Sequence, residues 1–522
     1  MKAAMPRSTV HRDSGAHRSL RRLLFYGGAS IGLAIGLERS LNFLSSMLAA
    51  RIGGPQTFGA YAIVLATAGT IASYTGAGIG TTANRFSGQY PRESAGYRGF
   101  LRSLMLISVL SGLLAAVLMF AGAKPLAKWM LRNEDLTTFL RFAALSSGAL
   151  VLLECCRGLF IGQRKFRALL MLSAISGTGL LFVLPVTARI SPGAMVVAQG
   201  SVAFLTVIIC ISFFGKLGLS PVSSDSAMSS GPGLRSVLAF GIVQFGAVVG
   251  INIASWWIAS LVARSDGSLA QMGFYAVGNQ FRGLASIAPG FFTLVGYSLL
   301  TNESGRSYGG AKYVMLANTF VTASLTIIVG GFAAVVAPWA LSVAYGRSYT
   351  GGEVVVVVLL ATAIIHMSGT PAAHRLSIVS LRATGVINAI WAILIIVIGL
   401  VLVPAVGARG AAGAFLVAHS LANAMVLARL WSLKELPKKC LAVIVVAMVG
   451  ALSLAVLGYL RASIPSMASS FSVSMLAVLI SVIAVLLYLG ITFELIPARF
   501  AAAMIRRKPS DESDTIDDLA SA

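Results

Sequence analysis

The chain has 522 residues, of which 57% are hydrophobic and 11% are charged, and its mean hydropathy is +0.86. A soluble core cannot bury so much apolar surface, and the apolar runs are about 20 residues long, the length that crosses a bilayer. The composition therefore excludes a soluble protein. A formal net charge of +23 would suit a nucleic-acid-binding protein, but the basic residues are distributed in another way, described below, and no nucleic-acid partner is expected.

The apolar segments predict an all-α polytopic membrane protein with about 14 transmembrane helices. We expect two pseudo-symmetric bundles of six helices each, followed by an additional pair. In chain order the predicted spans are 23–48, 58–82, 100–122, 137–160, 168–190, 194–214, 236–262, 272–297, 313–338, 353–374, 386–404, 410–430, 440–460 and 471–493.

The composition between these spans predicts the domain boundaries. A Ser-, Gly- and Pro-rich stretch is the best candidate linker between the two bundles, and both chain ends are polar. The predicted domains are a basic, disordered cytoplasmic tail at 1–22, an N-terminal bundle at 23–214, a cytoplasmic linker at 215–235, a C-terminal bundle at 236–430, the additional helix pair at 431–493 and a cytoplasmic tail at 494–522.

An internal repeat relates the two predicted bundles. A Leu-x-Ala-Arg sequence leaves an apolar helix at Arg51 and again at Arg264, and a Tyr-Ala-aliphatic sequence enters the next helix at Tyr61 and Tyr275. Six spans separate the two copies, so both face the same side of the membrane, as in transporters built from parallel repeats. The helix before each copy carries two glycines that would allow close helix packing, Gly32 with Gly36 and Gly246 with Gly250.

The basic residues predict the orientation of the chain. With these spans, 28 of the 40 Lys and Arg residues lie on the side of the N-terminus, nine lie on the other side and three lie within spans. This is the positive-inside asymmetry, which predicts that both termini are cytoplasmic. The predicted outer loops are all short, so they leave little room for the catalytic residues of a membrane enzyme.

No cofactor or metal site is expected. The four cysteines lie in or beside spans and are predicted to be small core residues, and no Cys/His spacing matches a zinc site. The chain has no Gly-x-x-x-x-Gly-Lys-Ser/Thr loop for ATP and no paired carboxylates for glycosyl transfer. The first apolar run is too long for a cleaved signal peptide and carries Glu38 and Arg39, so we expect it to remain as the first span.

Polar residues inside apolar spans are costly and therefore informative. Arg39 and Asn42 share one side of the first span, Asn279 and Arg282 share a stripe on the eighth, and the seventh span carries a similar polar face with Gln244 and Asn252. Arg39 lies 12 residues before Arg51, and Arg282 lies nine residues after Gly273. At about 1.5 Å per residue, both guanidiniums lie near the midplane of a core of about 30 Å.

Two interpretations of these arginines remain open. In one, Arg39 and Arg282 face a cavity and bind an anionic group, since the planar guanidinium can hold phosphate by paired hydrogen bonds. In the other, Glu38 forms an ion pair with Arg39, and the polar stripes only hold helices together. For Arg141 and Arg157, snorkelling or pairing with Glu154 is expected.

Two further features of the spans carry expectations. His366, His374 and His419 are either packed polar residues or members of a proton relay. Pro289 is predicted to bend the eighth helix.

Three segments resemble the polysaccharide-exporter (O-antigen flippase) family. Residues 51–61, Arg-Ile-Gly-Gly-Pro-Gln-Thr-Phe-Gly-Ala-Tyr, resemble its Leu-Gly-Pro-x-x-Phe-Gly-x-Tyr loop, with Gly in place of Leu at position 53. Residues 76–86, Gly-Ala-Gly-Ile-Gly-Thr-Thr-Ala-Asn-Arg-Phe, resemble the end of its second span. Residues 158–166, Gly-Leu-Phe-Ile-Gly-Gln-Arg-Lys-Phe, resemble its basic loop after span four.

The resemblance implies a non-enzymatic transporter of the multidrug/oligosaccharidyl-lipid/polysaccharide exporter superfamily. It would move a polyprenyl-diphosphate-linked oligosaccharide across the bacterial inner membrane by alternating access, with Arg39 and Arg282 in its cationic cavity. Arg85, at the inner end of span two, would meet the incoming diphosphate or anchor its helix in the headgroups. Expected partners are this lipid-linked substrate, membrane lipids, and a polymerase and chain-length regulator of the same pathway.

The sequence leaves three alternative functions. A peptidoglycan lipid-precursor flippase and a cation-coupled drug antiporter share the fold implied by the resemblance. The antiporter is disfavoured because the spans bury more Arg than acidic residues. A membrane glycosyltransferase or polymerase is disfavoured by the short outer loops.

Overall fold

A computed structural model describes residues 14–76, 78–88, 95–214, 250–265, 268–304 and 308–495, and this part of the chain is helical with no strand. Among these residues, 11 helices are long and apolar enough to cross a membrane, or 12 if a bent pair is one span. The all-α polytopic fold is confirmed, whereas the count of 14 spans is not. The seventh predicted span, 236–262, lies largely outside the described residues.

The helices take up nearly all of the described chain. In chain order they are α1 Ser14–Gly76, α2 Ile79–Ser87, α3 Ala95–Pro125, α4 Leu136–Gly162, α5 Phe166–Thr187, α6 Pro192–Phe214, α7 Gly250–Ala263, α8 Ala270–Ala285, α9 Ile287–Ser304, α10 Tyr308–Thr326, α11 Phe332–Ala340, α12 Glu353–Val379, α13 Leu381–Val406, α14 Ala408–Ser432, α15 Lys438–Ser463 and α16 Ala468–Thr492. Short π-helical or 3-10 segments lie at Leu126–Leu131, Ile327–Gly331, Leu341–Tyr345, Arg347–Gly352 and Pro465–Met467.

Helix α1 contains the first predicted span and residues 58–76 of the second, and it breaks at Gly54. This residue has φ 73° and ψ 174°, a conformation that only glycine adopts readily. Pro55 follows and cannot donate a backbone hydrogen bond. The glycine that precedes the proline in the first resemblance motif therefore separates the helical segments on its two sides. The helix begins at Ser14, inside the predicted N-terminal tail.

The bend predicted from Pro289 is confirmed. Helices α8 and α9 meet at Ser286 with an angle of 48° between them. A residue at position 289 of a continuous helix would donate its N–H to the carbonyl of Ala285, and proline has no N–H to donate. The polar stripe predicted for the eighth span is therefore divided between two helices.

The chain folds into two compact units. The linker predicted at 215–235 lies outside the described residues, so the division into bundles at that point stays a prediction. The first unit comprises Met1–Ile287, Pro338–Val356 and Asn388–Phe415, and the second comprises Ala288–Ala337, Val357–Ile387 and Leu416–Ala522.

Each unit has its own apolar core. In the first, one cluster lies around Tyr97, Phe100 and Leu104, and another contains Leu169 and Leu172. In the second, residues of α9, α10, α12, α14 and α15 form one cluster. As predicted, all four cysteines are buried and unbridged, Cys155, Cys156, Cys210 and Cys440.

Candidate functional site

The two copies of the sequence repeat pack against each other in the first unit. A Cβ atom on Gly59 of α1 would overlap the carbonyl oxygen of Leu269, and one on Gly273 of α8 would overlap the carbonyl oxygen of Pro55. Each glycine stands two residues before the tyrosine of its repeat copy. The repeat therefore marks a crossing where the backbones of α1 and α8 are in direct contact.

Two glycines of the other predicted pairs, Gly36 and Gly250, do not make contacts as tight as those of Gly59 and Gly273. The Cβ position of Gly36 is 3.7 Å from Cγ2 of Ile287, an ordinary contact, and no described heavy atom lies within 4 Å of the Cβ position of Gly250. The expected tight helix contact at Gly250 is therefore wrong for the described part of the chain, and Gly246 lies outside it.

Arg39 lies on the face of α1 that runs along α8. Phe43 packs edge-on against Phe281 of α8, with ring centroids 5.6 Å apart, and Gly36 meets Ile287 at the start of α9. Residues 36, 39 and 43 are spaced i, i+3 and i+7, which places them on one helical face. The side chain of Arg39 is exposed on this face.

Arg282 projects from α8 into an aromatic environment. Its Cζ atom lies 4.9 Å from the ring centroid of Phe415 on α14, a cation–π contact. The Phe415 ring also packs against Tyr275 and against Trp391 of α13, at centroid distances of 6.3 and 6.2 Å. Tyr275 and Arg282 are seven residues apart and share a face of α8. Among the described residues, no carboxylate forms an ion pair with Arg282.

Two predicted site residues carry buried amide oxygens without a described hydrogen-bond donor. These atoms are Oδ1 of Asn42 on α1 and Oδ1 of Asn279 on α8. The amide nitrogen of Asn279 donates to the carbonyl of Tyr275 at 3.2 Å, so only its oxygen remains without a partner. An unsatisfied buried acceptor costs about 1–3 kcal/mol, which a hydroxyl group or water would recover.

Glu38 pairs with Arg157 and not with Arg39. Arg157 of α4 contacts both Glu38 and Glu154, and the hydroxyl of Ser173 on α5 donates to Oε2 of Glu38 at 3.1 Å. Successive helical residues point about 100° apart, so Glu38 faces α4 and α5 while Arg39 lies on the α8 side. The ion pair between Glu38 and Arg39 is thus wrong, whereas the expected pairing of Arg157 with Glu154 is confirmed.

This network uses the acidic residues in the interior of the described helices. Glu38 and Glu154 both neutralise Arg157, while Glu303 and Glu353 stand at helix ends. Arg39 and Arg282 therefore remain as cations without an acidic partner among the described residues. Ser45 lies on the same side of α1 as Glu38 and donates to the carbonyl of Leu180 at 2.7 Å. The polar residues predicted to share one stripe of the first span thus lie on two faces. Glu38 and Ser45 make contacts with neighbouring helices on one face, and Arg39 is exposed on the other.

The other predicted site residues lie elsewhere or outside the described chain. Arg85 is exposed on α2, above the ring of Phe86 at 5.6 Å, and α2 packs on α4 through Gly80 and Gly158. Asn252 is half-buried on α7. Gln244 lies outside the described residues.

Several contacts of this region escaped the sequence analysis. The indole N–H of Trp256 on α7 donates to Oγ1 of Thr67 at 3.0 Å, and the hydroxyl of Tyr61 donates to Oε1 of Gln199 at 3.0 Å. Phe415, which lies over Arg282, is an aromatic residue in an apolar span and carries no sequence signal of a site. The Arg157–Glu38 pair had one available signal, since a carboxylate inside a membrane needs a cation on another helix.

Comparisons with known proteins identify the fold. The model of the polysaccharide biosynthesis protein family matches residues 24–296. None of the curated protein sequences matches the chain.

Among solved structures, the inward closed conformation of the lipid II flippase MurJ is similar, with a TM-score of 0.67, 12% identity and coverage of 89% of this chain and 98% of that one. An inward-facing multidrug resistance MATE transporter of the MOP superfamily has a TM-score of 0.61 at 14% identity, covering 77% and 98%. A MOP superfamily transporter from Pyrococcus furiosus, for which a binding pocket of reverse polarity is reported, has a TM-score of 0.54 at 13% identity, covering 79% and 95%. At these identities the likeness concerns the fold.

Proposed function

Because this chain belongs to the polysaccharide biosynthesis protein family and has the fold of MurJ and MATE transporters, we propose that it is a flippase for a polyprenyl-diphosphate-linked oligosaccharide. It moves this lipid from the inner to the outer leaflet of a bacterial cytoplasmic membrane, for export of O-antigen, capsule or exopolysaccharide. The diphosphate and sugars need a polar path, whereas the polyprenyl tail can stay in lipid. Alternating access of the substrate site to the two sides would provide that path.

The observation that carries the proposal is the guanidinium of Arg282. It lies in a membrane-spanning helix against Phe415 and has no carboxylate partner among the described residues. A charged side chain at this depth is costly and marks a functional site by default. A diphosphate supplies the missing negative charge, and the planar guanidinium can hold two of its oxygens at once.

Arg39 and the two asparagines support the same substrate. Arg39 lies on the helix face in contact with α8, and Glu38 does not neutralise it because Glu38 pairs with Arg157. The oxygens of Asn42 and Asn279 need hydrogen-bond donors, and the hydroxyl groups of a saccharide are such donors. The proposed substrate thus combines an anion for the arginines with hydroxyl groups for the amides.

Substitution of Arg282 tests the proposal. Arg282→Ala should abolish polysaccharide export while the protein level stays near that of the wild type, and Arg282→Lys should restore export only in part because it lacks the two-pronged geometry. Arg141→Ala is the matched control, since Arg141 also lies in a span over an aromatic ring, Phe120, at 5.7 Å. Normal export by Arg282→Ala would contradict the proposal.

Arg39→Ala tests the second cation separately. Since Glu38 keeps Arg157 as its partner, this substitution should leave protein stability unchanged and reduce export. The double variant Glu38→Gln with Arg39→Ala serves as a comparison. If Arg39→Ala exports normally, Arg39 is not a substrate ligand.

The likeness to the lipid II flippase MurJ, which covers 89% of this chain, favours a second candidate, a flippase of the peptidoglycan lipid precursor. Depletion of the chromosomal gene distinguishes the two. Loss of surface polysaccharide with normal growth supports the first function, and lysis supports the second. A drug antiporter for cations is disfavoured because the unpaired interior charges described above are positive.

The proposed function also includes a location and partners. We place the chain in the bacterial inner membrane with both termini in the cytoplasm, on the distribution of basic residues. The polymerase and the chain-length regulator of the same pathway would act on its product at the outer face.

A further inference from the structure

Helix α12, whose residues from Val357 onward belong to the second unit, exposes one unusual residue at its midpoint. The candidate membrane span that contains it is Arg347–Val379. In its apolar 18-residue stretch 83% is buried, whereas in the other single-helix candidate spans at most 50% of the corresponding stretch is buried. Between Val354 and Ile378, the one exposed residue is His366. It stands 13 residues from each end of the helix, or about 20 Å. The most buried candidate span therefore exposes a titratable side chain at its midpoint.

A second histidine meets His366 at this depth. His419 lies near the middle of α14, and the two imidazole rings have centroids 5.1 Å apart and planes at 83°. The neighbouring contacts fix this geometry, because Nδ2 of Asn423 donates to the carbonyl of Ile365 at 2.6 Å. A Cβ atom on Gly369 would overlap the side chain of Asn423. The two helices therefore hold the imidazoles in edge-to-face contact.

We propose that His366 and His419 form a site that binds one proton at the middle of the membrane, and that its occupancy couples export to the proton gradient. Histidine is the side chain whose ordinary pKa lies between about 5 and 8. Two imidazolium ions in ring contact would repel each other strongly in an apolar surrounding, so the pair takes up one proton as a unit. The coupling step rests on the proposed flippase function, whereas the proton site does not.

The charged and titratable groups around the pair lie far along the helices or are paired. On α12, His374 packs against Tyr297 of α9, and Arg375 pairs with Glu435 at 2.7 Å. These two α12 residues are eight and nine positions from His366, about 12–14 Å along the helix. The remaining charged or titratable groups on the packed helices are Glu303 of α9, Tyr308, Lys312 and Tyr313 of α10, Arg382 of α13, Arg409 and Arg429 of α14, and Lys438, Lys439, Cys440, Tyr459 and Arg461 of α15.

Acidic residues are scarce on the three helices around the site. Along α12, α13 and α14 the one acidic residue is Glu353, at the first position of α12. No carboxylate of these helices therefore fixes the proton permanently on the pair. A site at mid-depth can receive a proton from one side and release it to the other as access alternates, which is what coupling to a gradient needs.

Histidine titration in the full-length protein tests the site. With 15N-labelled histidine in lipid nanodiscs, NMR should show the His366 and His419 resonances changing together with pH and taking up one proton between them. His419→Asn should leave His366 titrating as a single site, and His374→Asn, the matched control on the same helix, should leave the coupled titration intact. Two independent one-proton titrations, or none between about pH 5 and 8, would overturn the proposal.

Transport measurements test the coupling. Proteoliposomes carrying a fluorescent polyprenyl-diphosphate-linked oligosaccharide should show several-fold faster flipping when a pH gradient of one unit is imposed. His374→Asn should respond in the same way, while His366→Asn and His419→Asn should flip the probe without responding to the gradient. A wild-type protein that flips the probe at one rate with and without the gradient would overturn the coupling and leave the flippase function standing. Coupled titration without flipping under any condition would support the proton site and reject the flippase function.

Discussion

At the residue scale, two neighbours on α1 have different partners. Glu38 faces α4 and α5 and joins Arg157 and Ser173, whereas Arg39 lies on the face directed at α8. The first residue contributes to a buried charge network and the second remains exposed. Of these two adjacent residues, Glu38 therefore has a structural role and Arg39 belongs to the proposed substrate site.

The network makes a prediction about stability. Arg157→Ala leaves the buried carboxylate of Glu38 without its cation, and breaking a buried ion pair costs about 3–5 kcal/mol, whereas the Glu154 carboxylate is exposed and loses little. Thermal unfolding of the detergent-solubilised protein should occur at a clearly lower temperature in Arg157→Ala than in the wild type. Adding Glu38→Gln and Glu154→Gln should recover most of this loss because no uncompensated charge remains.

The control for this prediction is Arg39→Ala. Its unfolding temperature should match that of the wild type, since Arg39 has no carboxylate partner among the described residues. Equal destabilisation by Arg39→Ala and Arg157→Ala would contradict the assignment of Glu38 to Arg157.

Residue-level expectations were correct where they depended on one helix and wrong where they depended on a partner helix. Arg39 and Arg282 were placed in apolar spans from local sequence, and the pairing of Arg157 with Glu154 follows from their i, i+3 spacing. The partner of Glu38 lies 119 positions away along the chain. The aromatic ring over Arg282 comes from α14. Neither contact is encoded in the spacing of nearby residues.

At the element scale, the crossing of α1 and α8 depends on two glycines without space for a side chain. Gly59→Ala or Gly273→Ala would force the new methyl group against the carbonyl of Leu269 or Pro55. Overpacking of this kind costs about 1–3 kcal/mol, and more where the backbone cannot move. Both variants should show reduced protein level and a lower unfolding temperature.

The same two helices provide matched controls for the glycine substitutions. Gly69 on α1 and Gly283 on α8 have no described atom within 4 Å of their Cβ positions. Gly69→Ala and Gly283→Ala should therefore be tolerated or slightly stabilising, because alanine favours helix over glycine. If all four variants behave alike, the crossing does not have the tight contact assigned to it.

The elements show what a sequence can and cannot predict about helices. The bend near Pro289 and the break at Gly54–Pro55 follow from missing donors and from backbone freedom, which are local properties. The repeat copies were recognised, but their contact at Gly59 and Gly273 was not. The four-residue glycine spacing pointed instead to Gly250, where the described atoms leave open space, because spacing alone does not show which helix lies opposite.

At the scale of the whole molecule, the charge distribution predicts the topology. Reporter fusions after Arg132, Arg347 and Arg461 should report the outer side of the membrane. Fusions after Arg167, Lys216 and Lys439 should report the cytoplasmic side, since basic residues are retained there. An inverted result among the first four spans would reverse the orientation and with it the proposed direction of transport.

The membrane class was accessible from the sequence because apolar segments recur along the whole chain, and the transporter fold was accessible from loop motifs that lie within residues 51–166. The number of spans was not, since one described helix joins the first predicted span to most of the second, and residues 215–249 lie outside the described part. The substrate is not encoded in composition either. It follows only as a proposal from the interior cations that have no acidic partner among the described residues.

The most direct measurement of the central claim is flipping of a defined lipid by the purified protein. In proteoliposomes, a fluorescent polyprenyl-diphosphate-linked oligosaccharide that has reached the far leaflet is protected from a membrane-impermeant quencher. We predict that the wild type moves this probe, that Arg282→Ala does not, and that a probe with a single phosphate moves far more slowly because it offers fewer oxygens to the arginines. Equal movement of both probes by the wild type and by Arg282→Ala would contradict diphosphate recognition by this chain.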